Sequence, residues 1–261
     1  MTRYSRSSRS SRSSSRSKKY SWDRGDSSFP PYVRVPDRKR ENELLIANMK
    51  KNGDVLDPII IEARAIASSV WGKAWCKHLE SFSDYENRLP RGRAYVRYGS
   101  VINLEISRGK IKSLVKGSSL YKIEVSIDEI LEQKWKAIIK QCSGEVGSLI
   151  ELLQGKISSA VMKTMVDKEN GLFPLPKEIK FQCNCYDSAN MCKHVAATLY
   201  GVGARFDTRP ELLFMLRGVD HMEIVKSINI SDKILKKTKS KTIGDQDLSS
   251  LFGIDIDDKG G

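Results

Sequence analysis

Four residues in one short segment constrain the fold of this chain more than any other feature. Cys183, Cys185, Cys192 and His194 follow the spacing Cys-x-Cys-x6-Cys-x-His. Zinc prefers four tetrahedral ligands drawn from thiolate and imidazole, and a structural site fills all four positions with protein atoms. The chain has five cysteines, an odd number, and disulfides are rare in the cytosol. The spacing therefore predicts one structural zinc ion held by these four side chains.

The residues around the cluster predict how the chain presents it. A β-type run over 178–183 ends at the first cysteine, and residues 187–188 turn the chain back. The segment 191–205 has helical spacing, which places the last two ligands in its first turn. Free N–H groups at a helix N-terminus favour the negative charge of thiolates.

Two other interpretations of the cluster are open to test. The first is that buried cysteines and a histidine lie close together by chance. Three thiols and an imidazole within twelve residues argue against this interpretation. The second is a catalytic zinc, which needs an open coordination position and usually a neighbouring acid or base. Four ready ligands leave no position open, so the structural site remains the prediction.

Hydrophobic periodicity in the rest of the chain predicts an α+β fold. Helices are predicted at 39–51, 70–82, 127–142, 146–154, 157–167 and 191–205. β-type runs are predicted at 59–61, 93–98, 101–106, 111–116, 120–127 and 178–183. Gly/Ser turns separate the runs between 93 and 127, which is typical of an antiparallel meander.

Two of the predicted helices have clear apolar faces. The face of the first consists of Val70, Trp71, Ala74, Trp75, His78, Leu79 and Phe82. The face of the second consists of Ile130, Leu131, Trp135, Ile138, Ile139 and Cys142. Both faces are expected to be buried in the core.

The positive charge of the chain is concentrated at one end. The net charge is +13, of which residues 1–24 hold +7 and residues 52–225 only +3. The Arg/Ser-rich segment 1–28 lacks the apolar residues needed for a core and is predicted to be disordered. It is either a nucleic-acid tether or a solubilising tail. Residues 223–261 are predicted to be a second flexible, charged tail.

A cluster of basic and aromatic residues is a candidate nucleic-acid contact. It contains Arg88, Arg91, Arg93 and Arg97. On a strand, Arg93 and Arg97 share a face with Tyr95, where they can bind phosphate while the ring stacks on a base. The alternative, which we favour, is a solvated sheet face.

The tripeptide Cys76-Lys-His78 resembles half of a second ligand set, but no nearby pair supplies the other half. His78 lies on the Trp-rich helix face, so a core histidine is predicted there.

Sequence signatures of enzymes and membrane proteins are missing. No Gly-x4-Gly-Lys-Ser/Thr loop is present, so an ATPase activity must come from a partner. Gly201-Val-Gly203 is predicted to end a helix instead of opening one, which argues against dinucleotide binding. No apolar stretch approaches the ~20 residues that span a bilayer. A non-catalytic, cytoplasmic protein without a membrane partner or small-molecule substrate is expected.

The ligand pattern on a strand, turn and helix resembles the SWIM zinc finger of bacterial proteins, Swi/Snf-type ATPases and MuDR-like transposases. Further segments resemble the bacterial SWIM family: Phe29-Pro-Pro-Tyr32, Trp71-Gly-Lys-Ala-Trp75, Arg88-Leu-Pro-Arg-Gly-Arg93, Gly117-Ser-Ser-Leu-Tyr121, Glu151-Leu-Leu-Gln-Gly155, Gly171-Leu-Phe-Pro174 and Leu212-Leu-Phe-Met-Leu-Arg-Gly-Val-Asp220. One departure is that relatives often have proline and an aromatic residue between the second and third ligands, where this chain has Tyr186 and Ser188. The resemblance implies zinc bound by the same four residues, contacts with DNA or protein, and a Swi/Snf-type helicase as partner.

These observations predict four segments. They are a disordered tail (1–28), an α+β domain with an antiparallel sheet (29–170), a small SWIM-type zinc knuckle (171–222) and a flexible tail (223–261). The expected function is a zinc-binding interaction module for DNA, for a helicase, or for both. A pure protein adaptor and an enzyme of unrecognised type are the alternatives.

Overall fold

The computed structural model describes residues 34–81, 88–142, 149–156, 158–187, 189, 191–224 and 226. The predicted tail 1–28, Phe82 and nearly all of the predicted tail 223–261 lie outside these residues. The described residues form a mixed α+β fold, as the sequence predicts.

The described part of the chain contains eight α-helices and one antiparallel sheet of four strands, and three of these helices lie between the third and fourth strands. The helices are α1 Val35–Lys51, α2 Val70–Glu80, α3 Leu89–Arg97, α4 Glu132–Cys142, α5 Leu149–Gln154, α6 Ser159–Met165, α7 Lys193–Phe206 and α8 Glu211–Leu216. The strands are β1 Val101–Ser107, β2 Lys110–Lys116, β3 Leu120–Ile127 and β4 Ile179–Cys183. A short 3-10 helix, Pro176–Glu178, leads into β4.

The sheet has the strand order β1-β2-β3-β4, and each strand runs antiparallel to its neighbour. Side chains alternate between its two faces. In β2, Ile111, Ser113 and Val115 are buried, whereas Lys112 is exposed. The meander predicted from the Gly/Ser turns is confirmed by β1 to β3. The strand that ends in the first cysteine, β4, pairs with β3 and so extends the same sheet.

Helix α7 lies at the centre of the fold. It contacts all four strands as well as α2, α3 and α8, and eleven of its fourteen residues are buried. A helix that is apolar on all sides belongs to a core. The segment that carries the last two predicted ligands, Cys192 and His194, is therefore part of the main core.

Glycines let α7 approach its neighbouring helices closely. A Cβ atom at Gly92 of α3 would lie 2.4 Å from the Cβ of Ala196, and one at Gly203 would lie 2.6 Å from the Sγ of Cys76. The prediction that Gly201 and Gly203 end this helix is wrong, because α7 continues to Phe206. At Gly203 the missing side chain makes room for α2.

The predicted strand 93–98 is a helix, α3. Arginines and tyrosines alternate there, which mimics the period of a strand. The buried residues are Leu89, Gly92 and Val96, and their spacing of three and four residues is helical. Contact with α7 therefore selects the helix over the polar alternation.

Two other boundaries differ from prediction. The apolar run 59–61 is not a strand, although the N–H of Ile59 donates to the Val101 oxygen at 3.0 Å. The helix predicted from 127 begins at Glu132, because Ile127 is the last residue of β3. Leu131, predicted to be buried, therefore precedes the helix and is 74% exposed.

The two predicted apolar faces otherwise point into the core. In α2, Trp71, Ala74, Trp75 and Leu79 are buried, and Val70 and His78 are half-buried. In α4 and the residues before it, Ile130, Trp135, Ile138 and Cys142 are buried, and Ile139 is half-buried.

Candidate metal centre

Strand β4 and helix α7 bring the four predicted ligands together. Cys183 ends β4, Cys185 lies in the following loop, Cys192 directly precedes α7, and His194 is the second residue of α7. One ligand atom from each residue, three Sγ atoms and a ring nitrogen, lies within 4.8 Å of all the others. The structure therefore contains a Cys3His cluster that can hold a metal ion.

The separations between ligand atoms fit a tetrahedral site. Nδ1 of His194 lies 3.9 Å from Sγ of Cys183 and 3.8 Å from Sγ of Cys192. With bonds of about 2.3 Å to sulfur and about 2.0 Å to nitrogen, a tetrahedral zinc ion separates these atoms by about 3.6 Å. An ion at the centre therefore requires only small side-chain shifts, with Nδ1 as the ligating nitrogen.

Backbone N–H groups favour negative charge on two of the sulfurs. Cys192 is the N-cap residue of α7, and its Sγ accepts a hydrogen bond from the Val195 N–H at 3.5 Å. The N–H of Cys185 donates in the same way to the sulfur of Cys183. Together with the helix dipole, these donors stabilise the thiolate form that binds a metal.

Burial opposes the charged forms of the ligands. It raises the pKa of the Cys183 and Cys192 thiols, against the effect of the backbone donors. Burial, aided by the charge of Lys193, lowers the pKa of His194 to about 4. The imidazole is therefore neutral at pH 7, which is its metal-binding form, whereas the thiols release protons when a metal binds.

Aromatic rings position the imidazole of His194. The ring of Tyr121 stacks on it with centroids 3.9 Å apart, and the ring of Tyr95 meets it edge-on at 5.6 Å. A Cβ at Gly117 would lie 3.2 Å from its Nε2. This Nε2 is buried and has no hydrogen-bond partner among the described residues. Packing, not a second hydrogen bond, therefore aims Nδ1 at the sulfurs.

Hydrogen bonds anchor both halves of the centre to the fold. Thr198 of α7 donates to the backbone oxygen of His194 at 3.1 Å, and its hydroxyl lies 2.9 Å from that of Ser113 in β2. The guanidinium of Arg88 binds Asp187 at 3.0 Å, in the loop of residues 184–187 that follows β4 and is called the ligand loop below. These contacts fix the positions of the loop and of the helix start relative to the sheet and α3.

Three of the four arginines proposed from sequence as nucleic-acid contacts are bound within the chain. They are Arg88 (to Asp187), Arg93 (to Glu80 and to the Tyr200 hydroxyl, 3.1 Å) and Arg97 (to the Arg64 oxygen, 2.9 Å). Arg91 is exposed, and no ion pair or hydrogen bond of its side chain is seen with the described residues.

The predicted grouping of Arg93, Tyr95 and Arg97 on one face is wrong because the segment is helical. Residues two apart on a helix point in different directions, whereas residues four apart share a face. Arg91 and Tyr95 therefore lie together on the face of α3 that meets His194, and Arg93 points to Glu80 instead.

The residues that position the imidazole of His194 could not be assigned from the sequence. Gly117 and Tyr121 belong to a segment that resembles the SWIM family, and Tyr95 was grouped with the arginines, but nothing local connects them with His194. These contacts join residues far apart in the chain, so the sequence of one segment alone does not reveal them.

The chain is similar in sequence to one protein described as uncharacterized among those compared. It is 30% identical over 167 residues to uncharacterized protein Rv2102 of Mycobacterium tuberculosis. The aligned residues make up 63% of this chain. The chain matches about 60% of the length of that relative. No protein-family model matches the chain, and no solved structure matches it significantly. Within the described residues, no helix combines the length and apolar character needed to cross a bilayer.

Proposed function

We propose that this chain is a non-catalytic interaction module that is stabilised by one zinc ion and binds DNA. The observation that carries the proposal is the convergence of the Cys3His ligand atoms within 4.8 Å. Three thiolates and a neutral imidazole are donors that structural zinc takes. The resemblance to the SWIM zinc finger supports the same assignment and adds a Swi/Snf-type helicase as a candidate partner.

The completeness of the ligand set supports a structural role. Four protein ligands fill a tetrahedral ion and leave no position for water or substrate. Cys192 and His194 are also almost completely buried. We therefore propose no enzymatic reaction and no small-molecule substrate for this site, and a cytoplasmic protein without a membrane partner.

The charge of the chain supports DNA as the partner. Lysines and arginines that contact phosphates release counterions, and this term dominates non-specific affinity. Eight such residues lie between 1 and 24. In the described part of the chain, Arg91 is the candidate arginine that remains exposed and without an observed partner. We propose that the N-terminal segment supplies most of the affinity and that the zinc centre supplies a defined contact.

A pure protein adaptor is the second candidate. It is favoured by the internal partners of Arg88, Arg93 and Arg97, which leave fewer free cations for phosphate than the sequence suggests. In this case the zinc centre would orient a surface for a helicase or another protein, and the basic tail would only confer solubility.

One set of measurements tests both candidates. Elemental analysis of the purified protein should give one zinc ion per chain. Anisotropy of a labelled DNA duplex should show binding at about 100 mM salt, with log K falling linearly as log[salt] rises. Changing the eight basic residues of 1–24 to Gln should reduce the salt slope by about 3–6, and Arg91→Gln by about 1.

The outcomes separate the candidates. A metal-free wild-type protein with its folded structure intact would refute the zinc assignment. Zinc-loaded protein that fails to bind DNA at moderate salt would instead support the adaptor.

A further inference from the structure

The ligand loop presents one fully exposed aromatic side chain. Tyr186, directly after Cys185, has a relative exposure of 105%, whereas the other large apolar side chains exposed in the described residues are aliphatic. Single exposed apolar residues are common on protein surfaces and need no explanation. The surroundings of Tyr186 therefore decide whether it marks a site.

The backbone that carries Tyr186 is held on both sides. Cys185 precedes it and belongs to the metal cluster. Asp187 follows it, binds the guanidinium of Arg88 at 3.0 Å and accepts a hydrogen bond from the N–H of Ala189 at 3.2 Å. An aromatic ring on a preorganised loop binds a partner without the entropic cost of ordering that loop.

Three cations lie near this loop, on the side of α3 and α7. Arg88 pairs with its Asp187, and exposed Arg91 lies one turn further along α3. Lys193, between two ligands, lies with its Nζ 5.3 Å from the ring centre of Tyr95. These three cations are opposed by the charge of Asp187 and, with zinc bound, by one net negative charge on the cluster.

We propose that this knuckle surface, formed by Tyr186, Arg88, Arg91 and Lys193, binds single-stranded nucleic acid. An unpaired base stacks on Tyr186, while Arg91 and Lys193 contact the adjoining phosphates. A base presents its face to a protein side chain only when it is unpaired and unstacked, so an exposed ring amid cations fits a single strand better than a duplex. The inference rests on the proposed nucleic-acid function and specifies that the bound nucleic acid is single-stranded.

The test compares the affinities of the full-length, zinc-loaded protein for single-stranded and double-stranded nucleic acid. Anisotropy is measured with labelled DNA and RNA single strands of about 15 nucleotides and with the DNA duplex of the same sequence. Tyr186→Ala should weaken single-strand binding by about 5- to 100-fold, the range expected for loss of one base stack, and leave duplex binding nearly unchanged. Tyr186→Phe should retain the wild-type affinity because it keeps the ring.

Matched controls exclude general effects. Leu131→Ala removes an exposed apolar side chain from another part of the chain and should change neither affinity. Arg91→Gln should lower the salt slope for single strands by about 0.7, whereas Lys163→Gln, which removes the same charge from α6, should leave it unchanged. Zinc content and melting temperature should be equal in all variants.

A second readout locates the contact independently of the basic N-terminal segment. Single strands that contain 5-iodouracil should cross-link to Tyr186 on irradiation, as identified by mass spectrometry. Equal single-strand affinity of wild type and Tyr186→Ala, or cross-links that map only to other residues, would overturn this inference while the proposed function stands. A wild-type protein that binds neither strand form would overturn both.

Discussion

The tripeptide Cys-Lys-His occurs at 76–78 and again at 192–194, and the two copies have opposite roles. At 192–194 both flanking side chains turn towards Cys183 and Cys185 and complete the metal cluster. At 76–78, inside α2, the sulfur packs against Gly203 and the imidazole Nε2 lies 2.8 Å from the Pro174 oxygen. The same residue types thus form a ligand pair in one place and core packing in the other.

Backbone conformation explains the difference. Residues i and i+2 of a helix point about 200° apart, so Cys76 and His78 cannot reach one ion. Cys192 instead precedes its helix with an extended backbone (φ −81°, ψ 169°), which brings its sulfur within 3.8 Å of Nδ1 of His194. Cys-x-His spacing therefore supports ligation of one ion at a helix start but not within a helix.

The largest expected difference is between Cys192→Ser and Cys76→Ser. Serine retains the N-cap function at 192, so the first variant tests the metal ligand alone. Structural zinc contributes about 10–16 kcal/mol in zinc-finger peptides, comparable with the stability of a whole domain. We expect Cys192→Ser to lose its zinc and to melt at least about 10 °C lower. Elemental analysis and thermal unfolding measure both effects.

Cys76→Ser is the matched control. It should keep one zinc per chain and lose about 1–3 kcal/mol of stability, because a hydroxyl replaces a half-buried thiol that has no hydrogen-bond partner among the described residues. Equal zinc content in the two variants would show that the tripeptides do not differ as described.

Gly117→Ala should weaken the site at 192–194 without touching a ligand. Its Cβ would lie 2.9 Å from the Tyr121 ring and 3.2 Å from Nε2 of His194, so the stacked rings must shift. Disturbing groups that orient a ligand typically costs about 10- to 100-fold in metal affinity. Competition with a chromogenic chelator measures this loss. Gly99→Ala strains a left-handed turn (φ +65°) but adds a Cβ with no atom within 4 Å, so it controls for general destabilisation and should retain the affinity.

Gly203→Ala should destabilise the protein because the added methyl group would collide with Cys76 of the tripeptide at 76–78. The added Cβ would lie 2.6 Å from the Sγ of Cys76, and overpacking of this kind costs about 1–3 kcal/mol, partly offset by the better helix propensity of alanine. Cys76→Ala removes that sulfur, so the double variant should recover part of the loss in a double-mutant cycle of urea unfolding. Strictly additive effects would contradict the packing role of Cys76.

The smallest expected effect concerns the pH dependence contributed by His78. Burial lowers the pKa of this imidazole below its usual value, so the unfolded chain takes up a proton more readily than the folded one. The resulting stability is fully present above about pH 6.5 and is lost as the pH falls towards the folded-state pKa. His78→Gln keeps an N–H donor for the Pro174 oxygen and should flatten this slope. Urea unfolding at several pH values, with zinc retention monitored, measures it.

Much of the sheet could be predicted because its signals are local. Strands β1 to β3 follow from alternation between Gly/Ser turns, and β4 from the run that ends at Cys183. The predicted helix over 191–205 appears as α7, Lys193–Phe206, because its apolar residues leave no polar face. The ligand set could be proposed from sequence because all four donors lie within twelve residues.

The segment from 89 to 97 shows where such signals fail. Its polar residues alternate with a period of two, whereas its buried residues, Leu89, Gly92 and Val96, follow a helical period. Nothing local decides between the two patterns. The close approach of α3 to Ala196 decides it, because only the helix buries these three residues together against α7.

By itself, the sequence determined which atoms can bind a metal and where the hairpin turns fall, because donor chemistry and turn preferences belong to individual residues and their neighbours. The tertiary structure alone decided which Cys-Lys-His copy meets other ligands, which arginines remain free, and which rings hold His194. Those outcomes depend on which faces of α2, α3, α7 and the sheet meet, and contacts between distant segments form only when the whole core packs.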